Sequence, residues 1–243
     1  MKELLRYSVL AALAITTAAS CKKKDDSPTC RIITATDVYT NSGTTTTSTL
    51  NYTYNNDGQI STLTLSDGTT TTQKIYNYNG NTIIVNSTQG GSFSGRDSVT
   101  LNSNGRVTNF RHFSNSSGTN WYNFSYEFDG NGALLKSIYT LSSGGSPSTT
   151  TFTSSNGDLA TGSDGSVYGY YTDKPYQQGD YFYFIFLINY GAEIVKNAHL
   201  LKSITTSGSI RNCTYDFTDG RISKMTVTGT SSIDVVTYQY QCN

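Results

Sequence analysis

The sequence predicts an all-β domain: an antiparallel meander of repeated β-hairpins, rolled into a curled sheet or large soluble barrel, with at most one short helix. Three observations predict this. The 243-residue chain holds 19 Tyr, 22 Gly and only 3 Pro. Thr and Tyr favour strands, whereas Asn, Asp and Gly favour turns. Large residues alternate with polar ones in Leu50-Tyr52-Tyr54, Phe124-Tyr126-Phe128, Cys213-Tyr215-Phe217 and Tyr238-Tyr240-Cys242, the period of a strand with one buried face. A hairpin-like unit also recurs along the chain.

The first element is a leader. Lys2 and Arg6 precede an apolar run of nine residues, Tyr7–Ile15, and a small polar stretch follows. This is the plan of a secretory signal peptide. A membrane-spanning helix needs roughly 20 apolar residues. Ala18-Ala19-Ser20 before Cys21 resembles a bacterial lipoprotein signal, in which the cysteine thiol is acylated and the chain is cut before it; Ala18 stands where that pattern usually has Leu. The domain plan is therefore a leader over 1–20, a flexible tether over 21–28 (CKKKDDSP), and a single β domain over 29–243. Lys24-Asp25-Asp26 resembles the export signal of Bacteroidetes-type surface lipoproteins. These resemblances imply an outer-membrane lipid anchor at Cys21, facing the cell surface or the periplasm.

The repeats come next. "YTYNNDGQISTLTL" starts at Tyr52, "VTLNSNGRVTNFRHF" at Val99, "YEFDGNGALLKSIYTL" at Tyr126, "TFTSSNGDLATG" at Thr151 and "TYDFTDGRISKMTV" at Thr214. Each has alternating large residues, a polar turn closing on Gly58, Gly105, Gly132, Gly157 or Gly220, then an aliphatic residue. Glycine supplies the positive φ that such turns need. After the turn the apolar phase slips once, as in Ile60, Leu63, Leu65 and Ile222, Met225, Val227. A β-bulge at a fixed place would restore the buried face. Aspartates at turns (Asp57, Asp67, Asp129, Asp164, Asp219) are expected to cap them with their own side chains. About 14 to 17 such short strands cannot stay flat and must curl or close.

One segment breaks the pattern. "DYFYFIFLINY", Asp180 to Tyr190, is apolar throughout and reads as a strand covered on both sides. Its alternate residues Tyr181, Tyr183, Ile185 and Leu187 form a candidate hydrophobic binding face. Ala192–Leu201 (AEIVKNAHLL) reads as the one short helix, capping an end of the sheet. Once Cys21 is acylated, Cys30, Cys213 and Cys242 remain, and any pairing leaves one thiol over. Domain termini tend to lie close in space, which favours Cys30 with Cys242 and leaves Cys213 a buried free thiol. Cys213 with Cys242 is the rival pairing.

The "TYDFTDGRI" unit (Thr214 to Ile222) resembles the YD repeats of Rhs-type proteins. The leader, the Tyr-rich hairpins and "YYTDKP" (Tyr170 to Pro175) together resemble a Bacteroidetes lipoprotein family of unknown function with a porin-like fold. That resemblance implies a fold and no activity. Asp97-Ser98-Val99 resembles the O-glycosylation site of such bacteria, which makes Ser98 a candidate for modification.

Chemistry is sparse. The 17 basic and 17 acidic residues balance, without the basic patch that nucleic-acid binding calls for. His112 and His199 stand without metal-ligand spacing. No catalytic residue, metal or cofactor is expected, and the chain is expected not to be an enzyme. The expected function is that of a non-enzymatic, lipid-anchored, monomeric envelope protein presenting its β-repeat domain to a partner protein or glycan. The alternative is a carrier of a hydrophobic ligand in a Tyr-lined interior. An outer-membrane barrel that spans the bilayer is disfavoured because the chain ends Gln241-Cys242-Asn243 rather than on an aromatic residue.

Overall fold

A computed structural model describes residues 30–242. The leader, the tether and Cys21 lie outside the described residues. The strands are β1 (Cys30–Asn41), β2 (Thr44–Tyr54), β3 (Ile60–Ser66), β4 (Thr71–Asn79), β5 (Thr82–Gln89), β6 (Ser92–Leu101), β7 (Val107–Phe113) and β8 (Trp121–Phe128). The second half continues with β9 (Leu134–Leu141), β10 (Ser148–Ser155), β11 (Asp158–Gly162) and β12 (Val167–Pro175). After the single helix, α1 (Tyr181–Tyr190), come β13 (His199–Thr206), β14 (Ser209–Thr218), β15 (Arg221–Thr228) and β16 (Ser232–Cys242). Every strand pairs with its sequence neighbours, and β1 pairs with β16 to close a 16-stranded antiparallel barrel. Closure removes the exposed edges that a one-sided sheet would carry. The thinnest part of the wall is β11 against β12, paired only at Thr161 and Val167.

The phase slip is a bulge, and it recurs at the same place. In β2–β3, Thr53 faces Thr62 and Tyr54 faces Ile60, so Ser61 is the extra residue. The same one-residue insertion puts Thr108 out of register in β6–β7, Leu135 in β8–β9, Ala160 in β10–β11 and Ser223 in β14–β15. Each insertion returns the apolar residues to the inside, where Ile60, Leu63, Val107, Phe110, Ile222 and Met225 are buried. The turns before the bulges are of two kinds. At the first three, an Asn or Asp three residues before the glycine accepts two backbone N–H bonds. Asn55 Oδ1 takes those of Asp57 and Gln59, Asn102 those of Asn104 and Arg106, and Asp129 those of Asn131 and Ala133. The capping residue in the first turn is thus Asn55 and not Asp57. The last two are two-residue turns with positive φ at Asn156-Gly157 and Asp219-Gly220, the form whose twist matches the flanking strands.

All five of these turns, both ends of the described chain and the 176–198 connection lie at one end of the barrel. From that end the connection enters the bore and carries α1 across it. Residues 180–190 are therefore a helix and not a strand. A segment in the middle of a barrel has no strand beside it to satisfy its backbone, and a helix satisfies its own N–H and C=O groups. A helix apolar all round belongs in a core. Its ends are marked: Asp180 Oδ1 accepts the Phe182 N–H at 2.9 Å, and Gly191, left-handed at φ 69°, donates its N–H to the Leu187 carbonyl. Gly191 also approaches the wall so closely that a Cβ there would lie 2.9 Å from the Tyr76 ring.

Ala192–Leu201 is not a helix. Residues 192–198 run irregularly over the turn-bearing end, and His199 opens β13. The backbone of this stretch is held by the wall: Val107 N–H donates to the Glu193 carbonyl and Ala198 N–H to the Gly157 carbonyl. Asn197 Oδ1 accepts the Leu159 N–H at 2.9 Å. These bonds to β7 and to the β10–β11 hairpin replace those of a helix, while Ile194 and Val195 are buried beneath.

Candidate functional site

The bore is packed around α1. Phe182 meets Tyr168 of β12, Phe184 meets Tyr238 of β16, and Tyr190 meets Phe110 of β7 with ring centroids 4.3 Å apart. Along the helix, Phe182, Phe186 and Tyr190 stack in turn. The apolar gap between helix and wall beside Tyr52, Tyr183 and Tyr238 measures about 10 Å³, room for roughly one water. The N-terminal anchor is Asp180, which is fully buried. Its Oδ2 accepts the Leu201 N–H and the Tyr215 hydroxyl, both at 3.0 Å. Burial drives its pKa upward against these bonds.

Beyond the helix, toward the other end, the inward face turns polar. Continuing the alternation of Tyr76, Val85, Val99 and Phe110 toward that mouth gives Lys74, Ser87, Asp97 and His112. With Thr72, Ser94, Tyr122 and Tyr190 they enclose a pocket of about 350 Å³ over the C-terminal end of α1. His112 Nδ1 lies 2.6 Å from Asp97 Oδ1, and the imidazole stacks on Tyr122 at 4.9 Å. Asp97 is 5 % exposed, and burial raises its pKa although His112 and Lys74 oppose the rise. Burial likewise lowers the Lys74 pKa. Gly95 makes room for the imidazole, since a Cβ there would lie 2.8 Å from His112 Cε1. The sequence marks His112 as following the apolar phase of its strand; its carboxylate partner, one strand away, follows only from the β6–β7 register that sets Asp97 opposite it.

Two further carboxyls face inward from β1 and β16. Asp37 and Asp234 are hydrogen-bonded to each other, and burial, with Asp234 adding to it, pushes the Asp37 carboxyl up to about 8. His199 has its own carboxylate, Asp158, at 2.7 Å, and its N–H donates to the same side chain. That pair clamps the start of β13 to β11 and belongs to the closed end. A second cleft, of about 450 Å³, opens among the turns there, rimmed by Arg31, Arg106, Glu193 and Lys196, and reaches inward to Ile60, Ile83 and the α1 residues Tyr183 and Leu187.

The remaining sequence-marked residues fall as follows. Cys30 and Cys242 form the disulfide, opposite each other in the β1–β16 ladder, and Cys213 is a buried free thiol raised to about 12 by burial. Tyr181, Tyr183, Ile185 and Leu187 do not form one face, because a spacing of two residues scatters around a helix, although Tyr183 and Leu187, four apart, lie on one side. They are part of the plug, and Tyr183 and Leu187 border the cleft at the turn-bearing end. Ser98 lies on the outer wall, between inward-facing Asp97 and Val99. That wall is largely polar, as in the cross-strand row Thr34, Asn51, Thr64, Gln73, Thr88. Its main aromatic patch is on β6–β8, where Arg96 stacks on Phe113 and Arg111 on Trp121.

No family model matches the chain, and no curated protein matches it. Among solved structures, a porin-like protein from Bacteroides uniformis ATCC 8492 superposes with a TM-score of 0.60 at 16% identity, over 86% of this chain and 98% of that one. The fold is porin-like. Another porin-like protein, from Bacteroides vulgatus ATCC 8482, is 17% identical over the same shares, but its TM-score of 0.36 carries no argument.

Proposed function

We propose that this chain is a non-enzymatic, lipid-anchored envelope protein that presents its barrel to a partner protein or glycan. The observation that carries this reading is the filled bore. A helix crosses it, the apolar gap beside Tyr52, Tyr183 and Tyr238 is about 10 Å³, and the larger pockets, of about 350 and 450 Å³, open at the two ends and carry charged residues. A carrier of hydrophobic ligands needs an apolar cavity of some hundreds of Å³, and the pockets of that size here are lined by Arg31, Arg106, Glu193 and Lys196 or by Lys74, Asp97 and His112, which supports presentation over carriage. The outer wall supports it too. A bilayer-spanning barrel turns an apolar band to lipid, whereas here most apolar residues point inward and the outer wall is largely Thr, Asn and Gln, with scattered exposed residues such as Ile75, Val167, Ile210 and Ile233.

The anchor is Cys21 and the address is the outer membrane. Mass spectrometry of protein purified from its native membrane tests the anchor. A diacyl or triacyl increment on Cys21 is expected, and an unmodified Cys21 would sink the reading. Protease treatment of whole cells then reports the facing: loss of the barrel epitope means the cell surface, and protection means the periplasm.

A further inference from the structure

We infer that the polar pocket in the barrel mouth is a binding site for a single neutral hexose unit. The inference deepens the glycan branch of the proposed function and rests on it. Three properties of the pocket narrow its ligand. Its volume, about 350 Å³, lies within the size range of small-molecule sites and accommodates one sugar ring with some water. Its charges are of both signs: Lys74 and Asp97 attract each other across it. An anion would meet Asp97 and a cation would meet Lys74, so neither is favoured over a neutral molecule.

Its walls are of two kinds. Phe110, Tyr122 and Tyr190 supply aromatic surface, while Ser87, Ser94 and Asp97 supply hydroxyl and carboxyl groups. A pyranose has the matching duality, with apolar C–H faces and a rim of hydroxyls. Each hydroxyl donates and accepts, so a carboxylate, an ammonium and a serine can all be satisfied by one ring. A purely apolar ligand would displace water from Ser87, Ser94 and Asp97 and return no hydrogen bond, at a cost that burial of polar groups makes large.

The position is also suited to a glycan end. The pocket opens at the mouth opposite the disulfide and the 176–198 connection, and α1 forms its floor through Tyr190. A sugar enters and stops there; the filled bore gives it no way through. His112, held by Asp97 and Tyr122 on one side and by the absent Cβ of Gly95 on the other, has one orientation to offer.

The test is calorimetric titration of the full acylated chain, in a zwitterionic detergent free of sugar headgroups, with glucose, galactose, mannose and N-acetylglucosamine in turn. Saturable binding of at least one is expected. Asp97→Asn should weaken it at least about tenfold, the effect of losing one charge-assisted hydrogen bond. Ser94→Phe, at the exposed rim, should abolish it by filling the pocket, and it leaves the buried wall intact in case Asp97→Asn fails to fold. Trp121→Ala, on the outer wall, should leave it unchanged. Binding that survives both mouth variants but is lost in Trp121→Ala would overturn the pocket while leaving a glycan-presenting surface. Binding of none of the four sugars would overturn the inference, and acylation of Cys21 and surface exposure would still judge the broader reading separately.

Discussion

Asp180 concentrates more of this structure than any other side chain. It starts α1, ties the helix to β13 through Leu201 and to β14 through Tyr215, and does so without contact with water. Asp180→Ala strands all three donors in the core and should cost about 3–5 kcal/mol, read as a shift of the urea midpoint at constant slope. Asp37 makes a different prediction. Its folded pKa is raised, to about 8 from 3.8. Between those values the native state holds a proton that the unfolded chain has released, so stability falls as pH rises through that window. Burial raises Asp97, Asp180 and Glu193 in the same direction. Thermal midpoints should therefore be higher near pH 5 than near pH 8.5. Asp37→Asn should remove part of the slope, about 1–2 kcal/mol once the half-exposed site is discounted for screening. A flat profile in the wild-type chain would contradict the buried-carboxyl picture.

The hairpin with its bulge is the unit from which the barrel is built. Its logic is one of parity. Strand side chains alternate with period two, so the residue after a turn falls on the face that the turn length dictates. An inserted Ser61 lets Ile60 and Leu63, three apart, both point inward. Deleting Ser61 should turn one of them to solvent and cost more than about 4 kcal/mol, while Ser61→Ala should stay within about 0.5–1 kcal/mol, since its hydroxyl is exposed. Circular dichroism with chemical denaturation distinguishes the two. This device was legible in the sequence as an i, i+3, i+5 spacing after Gly58, Gly105 and Gly220. The helix was harder to read. An apolar run has no period to betray its conformation, and Tyr181–Tyr190 fits a strand or a helix equally. Asp180 before it and Gly191 after it are start and stop signals, but Asp and Gly also flank most strands of this chain.

At the scale of the molecule, closure is the central fact. β1 and β16 are 212 residues apart at the disulfide, yet their ladder runs from Cys30–Cys242 to Asn41–Ser232. The crosslink removes a long loop from the unfolded ensemble, worth up to about 5 kcal/mol on chain-entropy grounds. Reduction should lower stability by up to that amount while leaving the β-sheet spectrum intact, because the ladder and the packed bore hold the seam. Loss of the sheet signal on reduction alone would mean that the disulfide, and not packing, closes the barrel. The plug adds a second level of closure. Its contacts with β7, β12 and β16, and its hydrogen bonds to β13 and β14, fill the middle of the bore with core and leave a pocket at the mouth in place of a through-lumen.

By itself, the sequence determined what depends on local chemistry: β-strands from alternation, turns from glycine and asparagine, and bulges from the slipped phase; it favoured Cys30 with Cys242 and left Cys213 with Cys242 as the rival pairing. Tertiary structure alone decided what depends on neighbours far apart in the chain. It sent residues 180–190 into the bore, where a segment with no strand beside it must satisfy its own backbone and so becomes a helix. It set Lys74, Asp97 and His112 around one pocket, because three strands whose inward residues look ordinary one at a time meet only when the barrel's register is complete.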